Sequence, residues 1–302
     1  MAAVYKGGQY RLTTYLLEQV IVRYIITGAG GLLGSELSNL MVRRGIKYKA
    51  LLRTDLDVTK GYAVENLFKM ENPDVVFHCA AFTAVDKAES EKASSSAVNA
   101  GGALNVAEAC KVVGARMVLF STDYVFGGSK RTPYSPQDHP DPLSAYGESK
   151  LTGERNVSAS GVDLLLIRTS WLYGSVGRNF VSAVIQNARD GKTLRLVGDQ
   201  TGSPTWARHV AEATLDLVEC GVTGTYHLSN AGEATWYEFG REVLLICGLQ
   251  TEVEQISTEM WGAPARRPYY SVLDSSKAEA VLDRRMPPWR DSLKIFLKET
   301  LK

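Results

Sequence analysis

The chain has 302 residues, 45% of them hydrophobic, and a formal net charge of +1 at pH 7. It is long enough to bury a large core in one domain or two modest ones, and its charge excludes bulk attraction to nucleic acid or to a membrane surface. Cys79, Cys110, Cys220 and Cys247 are widely spaced in apolar surroundings with no CxxC pair, which favours reduced core thiols in a cytoplasmic protein over disulfides or zinc ligands.

Residues 1–22 carry an apolar patch broken by Glu18 and Gln19, without a small-residue cleavage site, and no apolar run in the chain approaches a bilayer span. They read as an extra segment before the first strand; a start site assigned too early also explains them. RYIIT then opens a regular pattern. It runs into Gly28, Gly31 and Gly34, and on into an amphipathic stretch from Glu36 to Arg44. A strand, a glycine turn and a helix in that order let the backbone approach a pyrophosphate, whose charge meets the free amides at the helix N-terminus. The alternative is a tight strand-to-helix turn without a ligand, since glycines at these offsets arise by chance about 0.2 times in such a chain.

YKALL is the second strand. At or beside its tip stands Arg53, suited to a 2′-phosphate, where an acid would take the ribose hydroxyls of NAD; Asp55, two residues on, would restore an NAD-type site if the strand ended later. The chain is therefore expected to prefer NADPH and to accept NADH. DVVFHCAA, RMVLFS and DLLLIRT follow, separated by helix-like or mixed segments such as GYAVENLFKMEN and SSSAVNAGGALNVAEACKVVG. Near-continuous apolar strands alternating with helices imply a doubly wound α/β fold of the Rossmann type, its parallel sheet covered on both faces. Ligands bind beyond the carboxyl ends of such strands, where GAGG, AAFTAVD, STDYVF and TSWLYG all fall.

We expect residues 23–170 to form this dinucleotide-binding domain. Beyond about residue 170 the pattern loosens, so 171–302 is expected to form mainly a smaller substrate-binding α/β region packed on the first, with the substrate in the cleft.

Tyr146 and Lys150 stand four residues apart in SAYGESK, so on a helix the phenol and the ammonium share a face. A lysine cation held close favours the phenolate and draws the phenol down from about 10, towards the range where it exchanges a proton with a carbonyl oxygen. With 14 tyrosines in the chain, about one such pair arises by chance, and the glycine loop upstream gives this one its weight. Thr122, at the end of the fourth strand, can donate a hydrogen bond to the same oxygen, or can simply satisfy its own turn.

The glycine fingerprint, STDYVF and the Tyr146/Lys150 pair resemble the extended short-chain dehydrogenase/reductase superfamily. CAAFTAVDKAE, STDYVFGG, PLSAYGESKLTGE, RTSWLYGSVGRNFV, DQTGSPT, GTYHLSN, TWYEFG and RPYYSVLD narrow the resemblance to the dTDP-4-dehydrorhamnose reductases, in order from residue 23 onward. That resemblance implies NAD(P)H-dependent reduction of the C4 ketone of dTDP-4-dehydro-L-rhamnose, the last step of dTDP-L-rhamnose synthesis. Tyr146 would supply the proton, Lys150 would also bond the nicotinamide ribose, and Thr122 would complete the catalytic set.

By family position, Asp123 contacts substrate and the Trp171 indole packs on the sugar ring, a core tryptophan being the alternative. Ala81, Phe82 and Thr83 would line the cofactor and Asp57 and Val58 its adenine side. Asn179, Arg266 and Arg267 would meet the diphosphate, with a solvated or salt-bridged surface as the other reading of the two arginines. Leu32 and Leu33 stand where relatives commonly carry Gln-Leu or Gln-Val, a change that spares the glycine backbone. Some relatives bridge subunits through Mg²⁺; Glu36 matches one acid of that site, but Arg208 and Val210 replace the others, so no such metal is expected and a homodimer is left open. Tyr124 stands where related dehydratases carry their acid. The remaining alternatives are a reductase or epimerase of another nucleotide-linked 4-keto-6-deoxy sugar, and a non-catalytic subunit like the regulatory one of methionine adenosyltransferase.

Overall fold

The computed structural model of the protein describes residues 22–300. Of the leader expected at residues 1–22, only Val22 falls among them, packed against the core; the rest of that expectation lies outside the described residues. The first half alternates as its apolar runs require: β1 (Tyr24–Thr27), α1 (Leu32–Arg43), β2 (Tyr48–Leu51), α2 (Gly61–Glu71), β3 (Val75–His78), α3 (Val85–Ser90), α4 (Lys92–Ser96), α5 (Ala103–Val113), β4 (Arg116–Thr122), α6 (Ala145–Ser160) and β5 (Leu164–Thr169). The second half has shorter strands: β6 (Leu172–Tyr173), α7 (Phe180–Arg189), β7 (Leu194–Val197), β8 (Thr201–Gly202), β9 (Thr205–Trp206), α8 (Ala207–Glu219), β10 (Gly224–His227), β11 (Ala234–Thr235), α9 (Trp236–Cys247), β12 (Val253–Ile256), α10 (Thr258–Trp261), α11 (Ser276–Leu282) and α12 (Trp289–Thr300).

Six parallel strands form the central sheet in the order β2-β1-β3-β4-β5-β10. Side chains alternate across a strand. Ile26, Phe77, Val118 and Ile167 therefore face one layer, where α1 and α8 bring Leu37, Met41, Val210 and Leu217. Ile25, Val76, Met117 and Leu166 face the other, against Phe68, Val106 and Cys110 of α2 and α5. Both faces are thus covered, which is why the strands read as nearly continuous apolar runs; each large side chain buried this way contributes about 1.5–3 kcal/mol. The strand order reverses between β1 and β3, and the crevice at that switch point is the usual ligand site of such sheets.

The chain beyond residue 170 returns to this sheet, giving it β10 and laying α8 on α1, so the two sequence segments interleave in space. It also has a core of its own, built from Tyr173, Trp206, Phe239, Trp289 and Phe296.

The segment 94–114, expected to be helix-like or mixed, is helical but interrupted by a π-helical turn at Ala97–Gly102 between α4 and α5. A widened turn re-aims side chains, and such turns are frequent near functional sites. Here α6 packs on it, and Gly153 permits the approach, because a Cβ there would overlap the carbonyl oxygen of Asn99. Among the described residues no helix is long and apolar enough to cross a membrane.

Candidate active site

From β1 the chain turns through Gly28 at φ +65°, and the turn lies so close to β3's exit that a Cβ would stand 2.6 Å from the Ala80 backbone. Gly34 is under the same constraint, since its Cβ would overlap the Gly28 carbonyl. Gly31 caps α1 with no side-chain bond, which leaves first-turn N–H groups and the positive end of the helix dipole for an anionic group. Leu32 and Leu33 begin that helix; Leu33 is buried, so what it offers a phosphate is its backbone N–H.

A cavity of about 600 Å³ opens beside the loop. Gly28, Gly31, Arg53, Asp57 and Val58 line one side, and Ala81, Phe82 and Thr83 line another. The size, the glycine cradle and the open amides fit a dinucleotide. Arg53 is exposed on the rim, whereas Asp55 turns back and accepts from its own turn's Leu52 N–H at 2.8 Å. The side-chain and backbone bonds from Thr59 hold the Asp57 carboxyl below the usual range.

Asn99, on the π turn, was not singled out in the sequence. Its carboxamide accepts from the Phe82 N–H at 2.8 Å and donates to the Phe82 carbonyl at 3.0 Å and to Ser149 Oγ at 2.9 Å. It thereby ties the cofactor-side strand exit to the helix that carries Tyr146 and Lys150.

Ser144 caps α6, accepting from the Gly147 N–H at 3.2 Å, and Glu89 accepts from the Ala145 N–H at 2.8 Å. Tyr146 and Lys150 follow in the first turns. The expected depression of the Tyr146 pKa by Lys150 is not what the structure shows. Burial pushes the phenol up to about 12, and the group that draws it back is the Thr122 hydroxyl. The Lys150 ammonium instead donates to the Phe120 carbonyl at 2.6 Å, and burial brings it down to about 8 against the attraction of Glu154. Burial also holds His78 down to about 3 and pushes the Cys79 thiol up, so both stay neutral beside the ammonium. A phenol raised in this way is fully protonated at neutral pH and is an acid rather than a phenolate.

Thr122 ends β4, where its oxygen accepts from the Tyr124 N–H at 3.1 Å and its hydroxyl donates to Asp123 Oδ1 at 3.1 Å. The turn reading of this residue is thereby met, and the same hydroxyl also bonds the Tyr146 phenol. Asp123 is buried, and its second oxygen accepts from Ser271 Oγ at 2.6 Å.

Edge to face with Tyr146 stands Tyr124, which also lines a smaller cleft of about 260 Å³ with Phe180, Arg195, Trp236, Trp261 and Arg267. Arg267 makes paired bonds to Asp86, both 3.0 Å, and lies 4.3 Å over the Trp261 ring. Arg266 is exposed. Asn179 caps α7 in a reciprocal box with Ser182 and donates to the Gly174 carbonyl, which occupies much of its capacity. Trp171 adopts φ +46° and lies flat on Trp236, with ring centroids 3.5 Å apart, and of this stacked pair it is Trp236 that lines the cleft. Its sequence signals were the TWYEFG stretch and, within it, the Thr235 cap before an aromatic helix start. Glu36 is buried on α1 with Arg208 at 3.8 Å, and Arg208 bonds Glu299 at 2.8 Å, so the neighbour of Glu36 is a cation.

Residues 22–302 match the model of the RmlD substrate binding domain family. The chain is 42% identical over 279 residues to a dTDP-4-dehydrorhamnose reductase of Streptomyces griseus, covering 90% of this chain and 91% of that one. A Mycobacterium tuberculosis (strain ATCC 25618 / H37Rv) protein of the same description is 39% identical over 278 residues, 90% of this chain and 91% of its own. Among solved structures, a dTDP-4-dehydrorhamnose reductase from Bacillus anthracis str. Ames in complex with NADP superposes with a TM-score of 0.89 at 36% identity, over 92% of this chain and 99% of that chain. With its glycine loop, its dinucleotide-sized cavity and the Thr122, Tyr146 and Lys150 cluster in that shared framework, the chain belongs to the dTDP-4-dehydrorhamnose reductase family.

Proposed function

We propose that this site reduces the C4 ketone of dTDP-4-dehydro-L-rhamnose to give dTDP-L-rhamnose, with NADPH preferred and NADH accepted. One observation carries the reading. The cluster at the end of β4 is linked to both cavities: Cys79 of the dinucleotide wall acts electrostatically on the Lys150 ammonium, and Tyr146 packs edge to face on Tyr124 of the aromatic cleft.

When bound, the reduced nicotinamide supplies the hydride. Tyr146, kept protonated by burial, gives its proton to the oxygen as negative charge develops there. Thr122 donates a hydrogen bond to the same oxygen, which matters most in the transition state. Lys150 holds the ribose of the cofactor and keeps a positive charge beneath the site. Arg267, with Arg266 and Asn179 nearer the surface, meets the diphosphate, while Trp236 and Trp261 offer ring faces to the sugar and base. The four free thiols fit a cytoplasmic setting. Homodimer formation is the assembly to test by light scattering.

The deciding assay follows absorbance at 340 nm while the pure chain meets NADPH and the ketosugar made by the upstream dehydratase and epimerase. Stoichiometric NADPH oxidation supports the reading. Conversion of the sugar without net oxidation would indicate an epimerase, and no conversion at all a binding subunit.

A further inference from the structure

Asp123 is a carboxyl group buried within bonding distance of a residue assigned to the reacting oxygen, and nothing in the reduction itself consumes its proton. It is held from two directions. Ser271 donates to Oδ2 at 2.6 Å, reaching it from 148 residues further along the chain. Ser271 is itself buried, and its own N–H donates to the Thr201 carbonyl at 2.9 Å, so the donor is rigidly placed. On the other oxygen, Thr122 Oγ1 lies 3.1 Å away.

Thr122 has one hydrogen and two lone pairs to distribute. One lone pair accepts from the Tyr124 N–H. While Asp123 is ionised it can only accept, so it competes with the Tyr146 oxygen, which also bonds the Thr122 hydroxyl, for that group's single hydrogen, and leaves a lone pair facing the ketone oxygen. If Asp123 carries a proton on Oδ1 the direction reverses. Thr122 then accepts from both Asp123 and Tyr124, and its own hydrogen is free for the substrate.

We propose that Asp123, oriented by Ser271, is a positioning residue whose protonation sets the direction of the Thr122 hydroxyl and so gates ketone reduction. The proposal rests on the reading of Thr122 as a donor to the reacting oxygen. The surroundings put the switch in an accessible range: burial raises Asp123 to about 7, while the bonds from Ser271 and Thr122 pull it down. The titratable groups facing it are the phenols of Tyr146 on α6 and Tyr124 on the turn after β4, with Arg267 reaching Tyr124 from the C-terminal segment. The phenols titrate far above this range, so a break near neutrality belongs to the carboxyl.

The experiment is kcat against pH from 5.5 to 9, at saturating NADPH and ketosugar nucleotide. It compares wild type, Asp123→Asn, Ser271→Ala, Ser271→Thr and Thr122→Val. Wild-type kcat should fall by about 10²-fold as pH rises through the break, the loss of one donor to a developing oxyanion. In Asp123→Asn the amide carbonyl keeps the Ser271 bond and the amide N–H faces Thr122. That variant mimics the neutral acid, so whatever its absolute rate, its kcat should show no break across this pH range. Ser271→Ala removes a bond that favours the carboxylate, so its break should move to higher pH; Ser271→Thr keeps the hydroxyl and should restore it. In a Thr122→Val background, Asp123→Asn should change nothing further.

A flat wild-type profile overturns the proposal. So does a break that survives in Asp123→Asn, or a Ser271→Ala profile that coincides with wild type. If Thr122→Val itself turns over at the wild-type rate, it is the assignment of Thr122 that fails; if Thr122→Val is impaired and Asp123→Asn keeps the break, only the gate fails.

Discussion

Asn99→Ala removes a side chain that contacts neither cavity directly and yet should impair cofactor use. Three hydrogen bonds of 3.0 Å or less are lost, to the Phe82 N–H, the Phe82 carbonyl and Ser149 Oγ, with a marginal fourth of 3.5 Å to Ser95 Oγ. At about 1 kcal/mol each, with a further penalty for backbone groups left unpaired, the cost is about 2–4 kcal/mol. For a chain of this size that lowers the melting temperature by about 3–6 °C. The functional effect should be uneven. Ala81, Phe82 and Thr83 wall the dinucleotide cavity, so the KM for NADPH should rise about tenfold or more, while the KM for the sugar nucleotide changes little. Thermal melts with and without NADPH, together with initial rates, separate these terms. A variant that melts early but keeps the wild-type KM for NADPH would refute the link from the π turn through Phe82 to the cofactor wall. Asn99→Asp is a sharper probe, because it keeps one acceptor and loses the donors.

Tyr146→Phe keeps the ring and removes the proton, so kcat should drop by about 10²–10⁴-fold with NADPH affinity, read by fluorescence titration, nearly intact. Lys150→Met should damage both turnover and NADPH affinity if the buried ammonium, which bonds the Phe120 carbonyl, also holds the nicotinamide ribose as proposed. Arg53→Ala should lower kcat/KM for NADPH selectively; an equal effect with NADH would refute the phosphate role. Glu154→Ala strands the buried Arg168, whose Nη2 lies 2.6 Å from Glu154 Oε2, and should cost about 3–5 kcal/mol in chemical denaturation.

The sheet was legible because its physics is local. A strand covered on both faces must be apolar at nearly every position, and RYIIT, DVVFH, RMVLFS and DLLLIRT each became a parallel strand. The glycine loop was legible for a related reason: Gly28 and Gly34 stand where a Cβ cannot fit, and only one residue type satisfies that. The π turn was not legible. Its residues AVNAGG are good enough helix partners for their neighbours that periodicity cannot distinguish a widened turn from a regular one. What widens it is a tertiary demand, the fit of Asn99 to Phe82 and the approach of α6 at Gly153.

Direction of charge effects was less legible still. Four-residue spacing places an ammonium and a phenol on one helix face, but it does not say where the ammonium points. Lys150 reaches the Phe120 carbonyl, burial then dominates the phenol, and the inferred sign for Tyr146 reverses. The cofactor end shows the opposite case, in which one backbone bond decides between two readings the sequence left open. Arg53 and Asp55 are two residues apart, and either could have stood at the tip of β2. Because the strand ends at Leu51 and Asp55 spends its carboxylate on the Leu52 N–H, the acid is committed to the turn while Arg53 lines the cavity. An acid so engaged offers the ribose hydroxyls less than a free one, and a guanidinium on the rim offers a phosphate more, so the balance moves to NADPH without any change in the residues that suggested it.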